Sequence, residues 1–452
     1  MTTPAGPPAR ADWLIRDALV VTMDDDAHIY PSGFVTIRDH RVAAVGDMSS
    51  LPAGLIAAHT LDGHGMAVLP GLVNTHTHLA MTLFRGLVDD VPLQPWLDTI
   101  WPLEGRYATY DNVRAGATLA IAEMISGGTT TAADMYWQRD ATAEAAEQAG
   151  FRLVTGPSFI DFVGPDGIQP EDREPLAREF LTRYKSHPLI TACVQAHATY
   201  SVPLALLEMT RAIAEEFQVL FVTHASENAS EVDIVTERYG KTPIELLDSL
   251  GLLGPRSLLA HCVVLRPDEI AMMAERRAAV AHCPESNLKM GSGVAPVKDL
   301  LQAGVTVGLG TDGAATNNDL DMWGEMHTAA LLQKGTLLDP TVLPANQALR
   351  MATIDGARAL GLGGEIGSLE PGKWADLVLI DLDQPHLTPR FDIYSLLVYA
   401  ARASDVDSVF IHGRPVLQDR RLLTLDREAV ERQVAEVAAQ FDQGGPALRP
   451  QM

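Results

Sequence analysis

The chain has 452 residues, 47% hydrophobic, 20% charged and 6% aromatic, with 36 Gly and 28 Pro. That is ample material for a large core and excludes a disordered, collagen-like or low-complexity protein. The 34 Lys and Arg against 58 Asp and Glu leave a formal net charge of −24, which repels nucleic-acid phosphates and anionic lipid, so the expected partner is a small molecule and neither nucleic acid nor membrane.

Three cysteines, Cys193, Cys262 and Cys283, are odd in number and widely spaced, and read as buried thiols of a reducing compartment. Residues 1–8 lack the apolar run of about 7–15 residues of a signal peptide, and no window approaches about 18 uninterrupted apolar residues, so a cytoplasmic location is expected. The Pro- and Gly-rich tip at 4–8 is predicted to be disordered.

Short strands are predicted over Trp13–Thr22, Phe34–Ile37 and Arg41–Gly46, with a tight reversal at Asp39-His40. From Val68 to Leu360, β-branched runs alternate with helical patterns, the signature of repeated βα units. Candidate strands lie near 72–75, 129–133, 152–156, 190–196, 219–223, 257–260, 278–281 and 305–310, and helices near 111–126, 203–216, 266–276 and 318–334. The uneven spacing predicts a long loop over 79–110, crossing the mouth of the structure. Further strands follow over Ala375–Asp381, Val406–Gly413 and Arg414–Leu417, then an amphipathic helix from Asp426, its N-cap, to Phe441. The fold class is therefore α/β: a (β/α)8 TIM-like barrel as catalytic domain over 68–360, with a discontinuous β-sandwich made of 1–67 and 361–452.

Catalytic groups of such barrels gather at the carboxyl ends of the strands. His76 and His78 follow the first strand in Asn74-Thr-His-Thr-His, and His224 ends the fifth in Phe221-Val-Thr-His. His261 ends the sixth in Leu259-Ala-His, and Asp312 ends the eighth in Gly310-Thr-Asp-Gly. Two histidines at i and i+2 of an extended segment point to one side. By itself such a pair is commonly a satisfied polar pair; the register of the other strand ends gives it meaning. With a third imidazole and a carboxylate it suits Zn²⁺ or Fe²⁺, with one position open to water. A second cation would need a bridging anion from the fourth strand, and Leu189–His197 holds neither lysine nor acid, so one metal is expected. Glu227, three residues after His224, is placed to reach that water, whereas Glu231 reads as a helix N-terminal acid. His197 and His282 also stand near strand ends, as substrate contacts or as rim residues.

Four segments carry a resemblance: Pro70-Gly-Leu-Val-Asn-Thr-His-Thr-His-Leu-Ala-Met-Thr-Leu-Phe-Arg-Gly, Leu252-Leu-Gly-Pro-Arg-Ser-Leu-Leu-Ala-His-Cys, Cys283-Pro-Glu-Ser-Asn-Leu-Lys-Met-Gly-Ser-Gly and Gly308-Leu-Gly-Thr-Asp-Gly-Ala-Ala-Thr-Asn-Asn. The chain resembles the amidohydrolase superfamily over nearly its whole length, and within it the 5′-methylthioadenosine/S-adenosylhomocysteine deaminase family of TRZ/ATZ-type metal-dependent hydrolases. The resemblance implies that His76, His78, His224 and Asp312 bind one divalent ion, Zn²⁺ with Fe²⁺ as the alternative. It further implies that His261 orients the attacking water, that Glu227 shuttles its proton, and that Asp312 also assists catalysis. Glu104, in Trp101-Pro-Leu-Glu, matches a position that holds ribose hydroxyls, and His197 one lining the same pocket.

The activity implied is hydrolysis of the 6-amino group of an adenosine-type nucleoside, by a homo-oligomer. The family's usual bulky residue and Glu-Thr after the fifth strand are replaced by Ala225-Ser-Glu-Asn, and its Gly-Pro-His-Ala-Pro-Tyr by Gln195-Ala-His-Ala-Thr-Tyr. Arg173 and Arg178 are the candidates nearby for binding a homocysteine carboxylate. A deaminase or hydrolase of a guanine, pterin or triazine ring would keep the same metal ligands. A non-catalytic assembly protein would normally have lost them.

Overall fold

The computed structural model describes residues 10–441; the tip at 4–8, expected to be disordered, lies outside them. Eight parallel strands form the centre: Leu72–Thr77, Thr129–Asp134, Arg152–Thr155 continued by Ser158–Phe159, Ile190–Ala192 continued by Val194–Ala198, Phe221–Ala225, Ser257–His261, Ala279–His282 and Thr306–Leu309. They are short and rich in β-branched and small residues. Most are buried on both faces, as helix-covered parallel strands must be. The ring closes between the eighth strand and the first, where Asp312 N donates to His76 O at 3.0 Å and Asn74 Nδ2 to Thr311 Oγ1 at 2.7 Å. Val73, Val154, Val222, Leu258 and Ala281, from five strands, share one buried cluster.

The third and fourth strands are each interrupted. Their first halves pair together, and their second halves continue the ring toward the fifth strand. Gly156 sits at the break, where a Cβ would lie 1.8 Å from Cys193 O, so only glycine lets the two backbones pass.

The four predicted helices are present as Tyr110–Ser126, Leu204–Phe217, Pro267–Arg276 and Met322–Leu337. The segment expected to be a long loop does cross the barrel mouth, but it is largely helical: Leu79–Phe84 forms a 3₁₀ turn and Leu93–Tyr107 an α-helix. Pro102 inside that helix masks its pattern, yet Trp96, Ile100, Glu104 and Tyr107 are buried at helical spacing. Among the described residues no helix is long and apolar enough to cross a membrane.

The terminal segments build one continuous nine-stranded sheet. Three of its strands lie outside the predicted ones: Ile56–Asp62, Met66–Pro70 and Arg421–Leu422. Met66–Pro70 is the seam, pairing parallel with Arg10–Val21 and antiparallel with Leu377–Asp381. The sheet folds over its own apolar face, bringing Trp13 to 5.1 Å from Phe410 between ring centroids above a core that includes Ile15, Val35, Val68 and Leu379. The reversal at Asp39-His40 has φ of 50° and 70°, and His412-Gly413 of 51° and 68°, the left-handed pairs that match hairpin twist. Asp426 caps the helix Arg427–Ala438 by accepting from Ala429 N, and Phe441 beyond it stacks on Phe84.

Candidate active site

His76, His78, His224, His261 and Asp312 meet at the carboxyl ends of four strands. The ligand atoms of His76, His78 and Asp312 lie within 4.8 Å of one another, as do those of His76, His224 and His261. Asp312 Oδ1 is 3.2 Å from His78 Nε2 and 3.6 Å from His76 Nε2, while His224 Nε2 faces His78 Nε2 at 3.4 Å. The two clusters share His76 and are linked by the His78–His224 contact.

The far side of each ring fixes which nitrogen faces inward. His224 Nδ1 donates to the His197 carbonyl at 2.6 Å, and His78 Nδ1 donates to the Met135 carbonyl. A carbonyl only accepts, so both rings carry hydrogen on Nδ1 and turn a bare Nε2 to the centre. His76 Nε2 is buried with no hydrogen-bond partner, an orphan that a cation would satisfy. Burial pushes the His76 pKa down to about 4 and moves His78 and His224 the same way, leaving neutral imidazoles, the ligating form. Asp312 is held below the usual carboxylate range despite its burial, chiefly by His76 and His78. Ser286 Oγ and Thr316 Oγ1 donate to its Oδ2 at 2.6 and 2.8 Å, and Gly313 N to its Oδ1 at 2.8 Å.

Backbone geometry aims these groups. Ser226, His261 and Asp312 have φ of 52°, 73° and 60°, a left-handed conformation uncommon outside glycine that is often found where function demands it. Gly310 allows the close approach on the other side, because a Cβ there would sit 2.8 Å from both N and O of His76.

His261 is held by Asn287, whose Oδ1 accepts from its Nδ1 at 2.9 Å. Although burial works against protonation, the charges of Glu227 and Asp312 raise the His261 pKa. Glu227 lies in the turn after the fifth strand and before the helix Ala229–Tyr239. Its backbone N–H donates to Glu231 Oε2 at 2.8 Å, so Glu231 is the structural acid the sequence implied. Burial pushes the Glu227 pKa up, with Asp312 adding to the effect and His261 opposing it.

These groups open into a cavity lined by His78, His224, Glu227, His261 and Asp312 and by Trp96, Trp101, Glu104, Trp137, Ile160 and His197. Its wall is mostly aromatic and apolar with a few polar groups, the composition of a small-molecule site. Glu104 is 2% exposed and accepts from Trp137 Nε1 at 3.2 Å through Oε2, with the Tyr136 hydroxyl beside the same carboxyl. Burial raises its pKa to about 7. His197 donates to or accepts from Ser201 Oγ at 2.7 Å and has its pKa lowered by burial to about 4.

His282 is not in the cavity wall; it is buried with neither ring nitrogen partnered. Arg173 and Arg178 are not in the wall either. Arg173 is buried against Asp166 at 3.0 Å, and Arg178 pairs with Glu174 and Glu216, so neither is free to bind a substrate carboxylate. Asn287, Ser286 and Thr316 escaped the sequence reading although they lie in motifs that it singled out. Trp137 carried no signal.

Residues 67–416 match the amidohydrolase family. The chain is 47% identical over 431 residues to a 5-methylthioadenosine/S-adenosylhomocysteine deaminase of Syntrophobacter fumaroxidans, covering 95% of this chain and 98% of that protein. It is 46% identical over 410 residues to a 5′-deoxyadenosine deaminase of Methanothermobacter thermautotrophicus, covering 90% and 94%. Among solved structures, an adenosine deaminase from Xanthomonas campestris with bound zinc superposes with a TM-score of 0.95 at 39% identity, covering 97% of this chain and all of that one. The chain belongs to the amidohydrolase family, a family of metal-dependent hydrolases.

Proposed function

We propose that this enzyme is a metal-dependent deaminase that converts the 6-amino group of an adenosine-type nucleoside, 5′-methylthioadenosine, S-adenosylhomocysteine or adenosine, to the inosine-type product with release of ammonia. It is a hydrolase acting on C–N bonds, like its deaminase relatives. The observation that carries the reading is the pair of clusters sharing His76, one with His78 and Asp312 and one with His224 and His261, beside a cavity whose wall also includes Glu227 and the buried carboxyl of Glu104.

His76, His78, His224 and Asp312 would hold one divalent ion. The orphaned His76 Nε2, the inward-facing Nε2 atoms and the nitrogen-rich donor set fit Zn²⁺, with Fe²⁺ as the alternative. When bound, the cation supplies Lewis acidity that draws the pKa of a coordinated water from about 15.7 toward about 7. Glu227 takes a proton from the attacking water and delivers it to N1 of the purine as the oxygen bonds to C6. A carboxyl with a raised pKa suits both halves of that transfer. His261 orients the water, and with Asp312 passes its remaining proton to the departing amine, so that the C6–N bond breaks and ammonia leaves. Glu104 accepts from the ribose hydroxyls, and His197 lines the same pocket.

The division into a catalytic barrel over 68–360 and a sheet domain of 1–67 with 361–452 belongs to this proposal. It is supported by the parallel strands lying within 72–309 and the nine-stranded sheet within 10–70 and 377–422. So do a cytoplasmic location, for which three buried free thiols speak, the absence of nucleic-acid or membrane partners, for which the net charge of −24 speaks, and a homo-oligomeric state, which rests on family resemblance alone.

The test is an ultraviolet assay of metal-loaded protein on adenosine, 5′-methylthioadenosine and S-adenosylhomocysteine beside guanine and a chlorotriazine. Turnover of an adenine nucleoside is expected; its absence with all three sinks the reading. Glu227→Gln is expected to lower turnover by about 10²–10⁴-fold with the cation still bound, and a fully active variant would remove Glu227 from the mechanism.

A further inference from the structure

The cavity above the metal centre offers nothing cationic beyond its histidines: no lysine or arginine stands in its wall. A charged 5′ substituent would find no partner there, and Arg173 and Arg178 are engaged elsewhere. A second, more open hollow lies beside the first. The two share Trp101 and Tyr200, so they are neighbours across those rings. Beyond them the second is lined by Gln94, Asp161, Ser201 and Arg238.

Arg238 lies in the last turn of the helix Ala229–Tyr239. Its Nη1 donates to the Tyr200 carbonyl at 2.7 Å, which anchors the guanidinium by one nitrogen and leaves Nη2 and Nε available. Among the described residues neither Arg238 nor Asp161 has an ion-pair partner, although both border one hollow. Elsewhere on this surface arginines are commonly paired, as Arg178, Arg183, Arg211 and Arg266 are. A cation and an anion facing the same space without meeting are arranged for a ligand that carries both charges. Trp101, on the shared wall, lies three residues before Glu104 on one helix, hence on the same face. The wall that carries Glu104 thus continues through Trp101 into the second hollow.

We propose that the two hollows form one substrate channel and that Arg238 and Asp161 are a subsite for the amino-acid end of S-adenosylhomocysteine, Arg238 binding the α-carboxylate and Asp161 the α-ammonium. The subsite rests on the adenosine-deaminase reading and assigns this chain a preference within it. Guanidinium and carboxylate match in planar, paired hydrogen bonds, and the tie to Tyr200 pre-sets the donor. Substrates with an uncharged 5′ group, such as 5′-methylthioadenosine, gain nothing from either residue.

The experiment compares kcat/KM for S-adenosylhomocysteine and 5′-methylthioadenosine on metal-loaded wild type, Arg238→Ala and Asp161→Asn. The ratio of the two constants is expected to move against S-adenosylhomocysteine by at least about tenfold in Arg238→Ala, the loss of one charge-assisted bond, carried mainly by KM. Asp161→Asn is expected to move it the same way by a smaller factor. An equal fall on both substrates would mean that Arg238 only shapes the mouth, and would overturn the subsite. So would a wild type that deaminates 5′-methylthioadenosine but not S-adenosylhomocysteine, which leaves the deaminase reading standing. A wild type inert toward every adenine nucleoside removes the deaminase reading and the subsite with it.

Discussion

At the scale of single residues, the site is made by controlling which atom of each ring is exposed. His78 and His224 give their Nδ1 hydrogens to backbone carbonyls, so the bare Nε2 atoms point inward before any ligand arrives. His261 is treated differently, because its Nδ1 is held by a side chain, Asn287, whose Nδ2 is itself buried and unpartnered. Partners of this kind orient a reacting group and typically contribute about 10–100-fold. Asn287→Ala is expected to lower kcat by roughly that factor with a much smaller change in KM. Asn287→Asp, which keeps the acceptor, is expected to recover most of the loss. Steady-state kinetics of both variants checks this, and an alanine variant with wild-type kcat would contradict it. The histidines and acids were legible in the sequence because strand ends of a barrel gather by rule. Asn287 was not, since its contact with His261 joins residues 26 apart in the chain.

Among the elements, the barrel and the terminal sheet are fastened by a buried ion pair. Arg152, in the third barrel strand, gives Nε and Nη2 to the two oxygens of Asp376 at 2.6 and 3.1 Å, and Asp376 Oδ1 also accepts from His412 N at 2.6 Å. Both side chains are almost wholly buried, at 4% and 1% exposure. Such a pair contributes little when compared with an apolar replacement, but removing one partner strands a buried charge. Asp376→Ala is expected to cost about 3–5 kcal/mol of stability, measured by urea unfolding. A loss below about 1 kcal/mol would show that the pair is effectively solvated. The mouth helix Leu93–Tyr107 shows the limit of pattern reading at this scale. Its Pro102 and its partial exposure obscure the period, and the burial of Trp96, Ile100 and Glu104 is imposed by the barrel beneath.

For the whole molecule, burying neutral histidines couples stability to pH. His197 and His282 have pKa values lowered by burial from 6.5 to about 4 and about 3. Above 6.5 both states are neutral. Below it the unfolded chain takes up protons that the folded chain refuses, so stability falls as pH drops from 6.5 through 4 and toward 3. Metal-free protein is expected to show a Tm that declines across this window, and His282→Phe to show a shallower decline. Equal slopes for the two proteins would contradict the assignment of that share to His282. Chelation is expected to lower stability as well, by about 2.7 kcal/mol where the free cation had been at 100 times its Kd. Differential scanning calorimetry before and after metal removal reads this directly.

The sequence by itself determined the ring of strands, most of the two-ended sheet and which histidines and acids stand at the strand ends, because period-two runs, turn residues and strand-end positions are local signals. Only the tertiary structure decided which nitrogen each histidine presents, that Gly156 lets the third and fourth strands pass, and that Arg173 is locked against Asp166 while Arg238 faces a hollow. Those are contacts between segments distant in the chain, fixed by packing and hydrogen bonding after the strands have closed, and no local pattern encodes them.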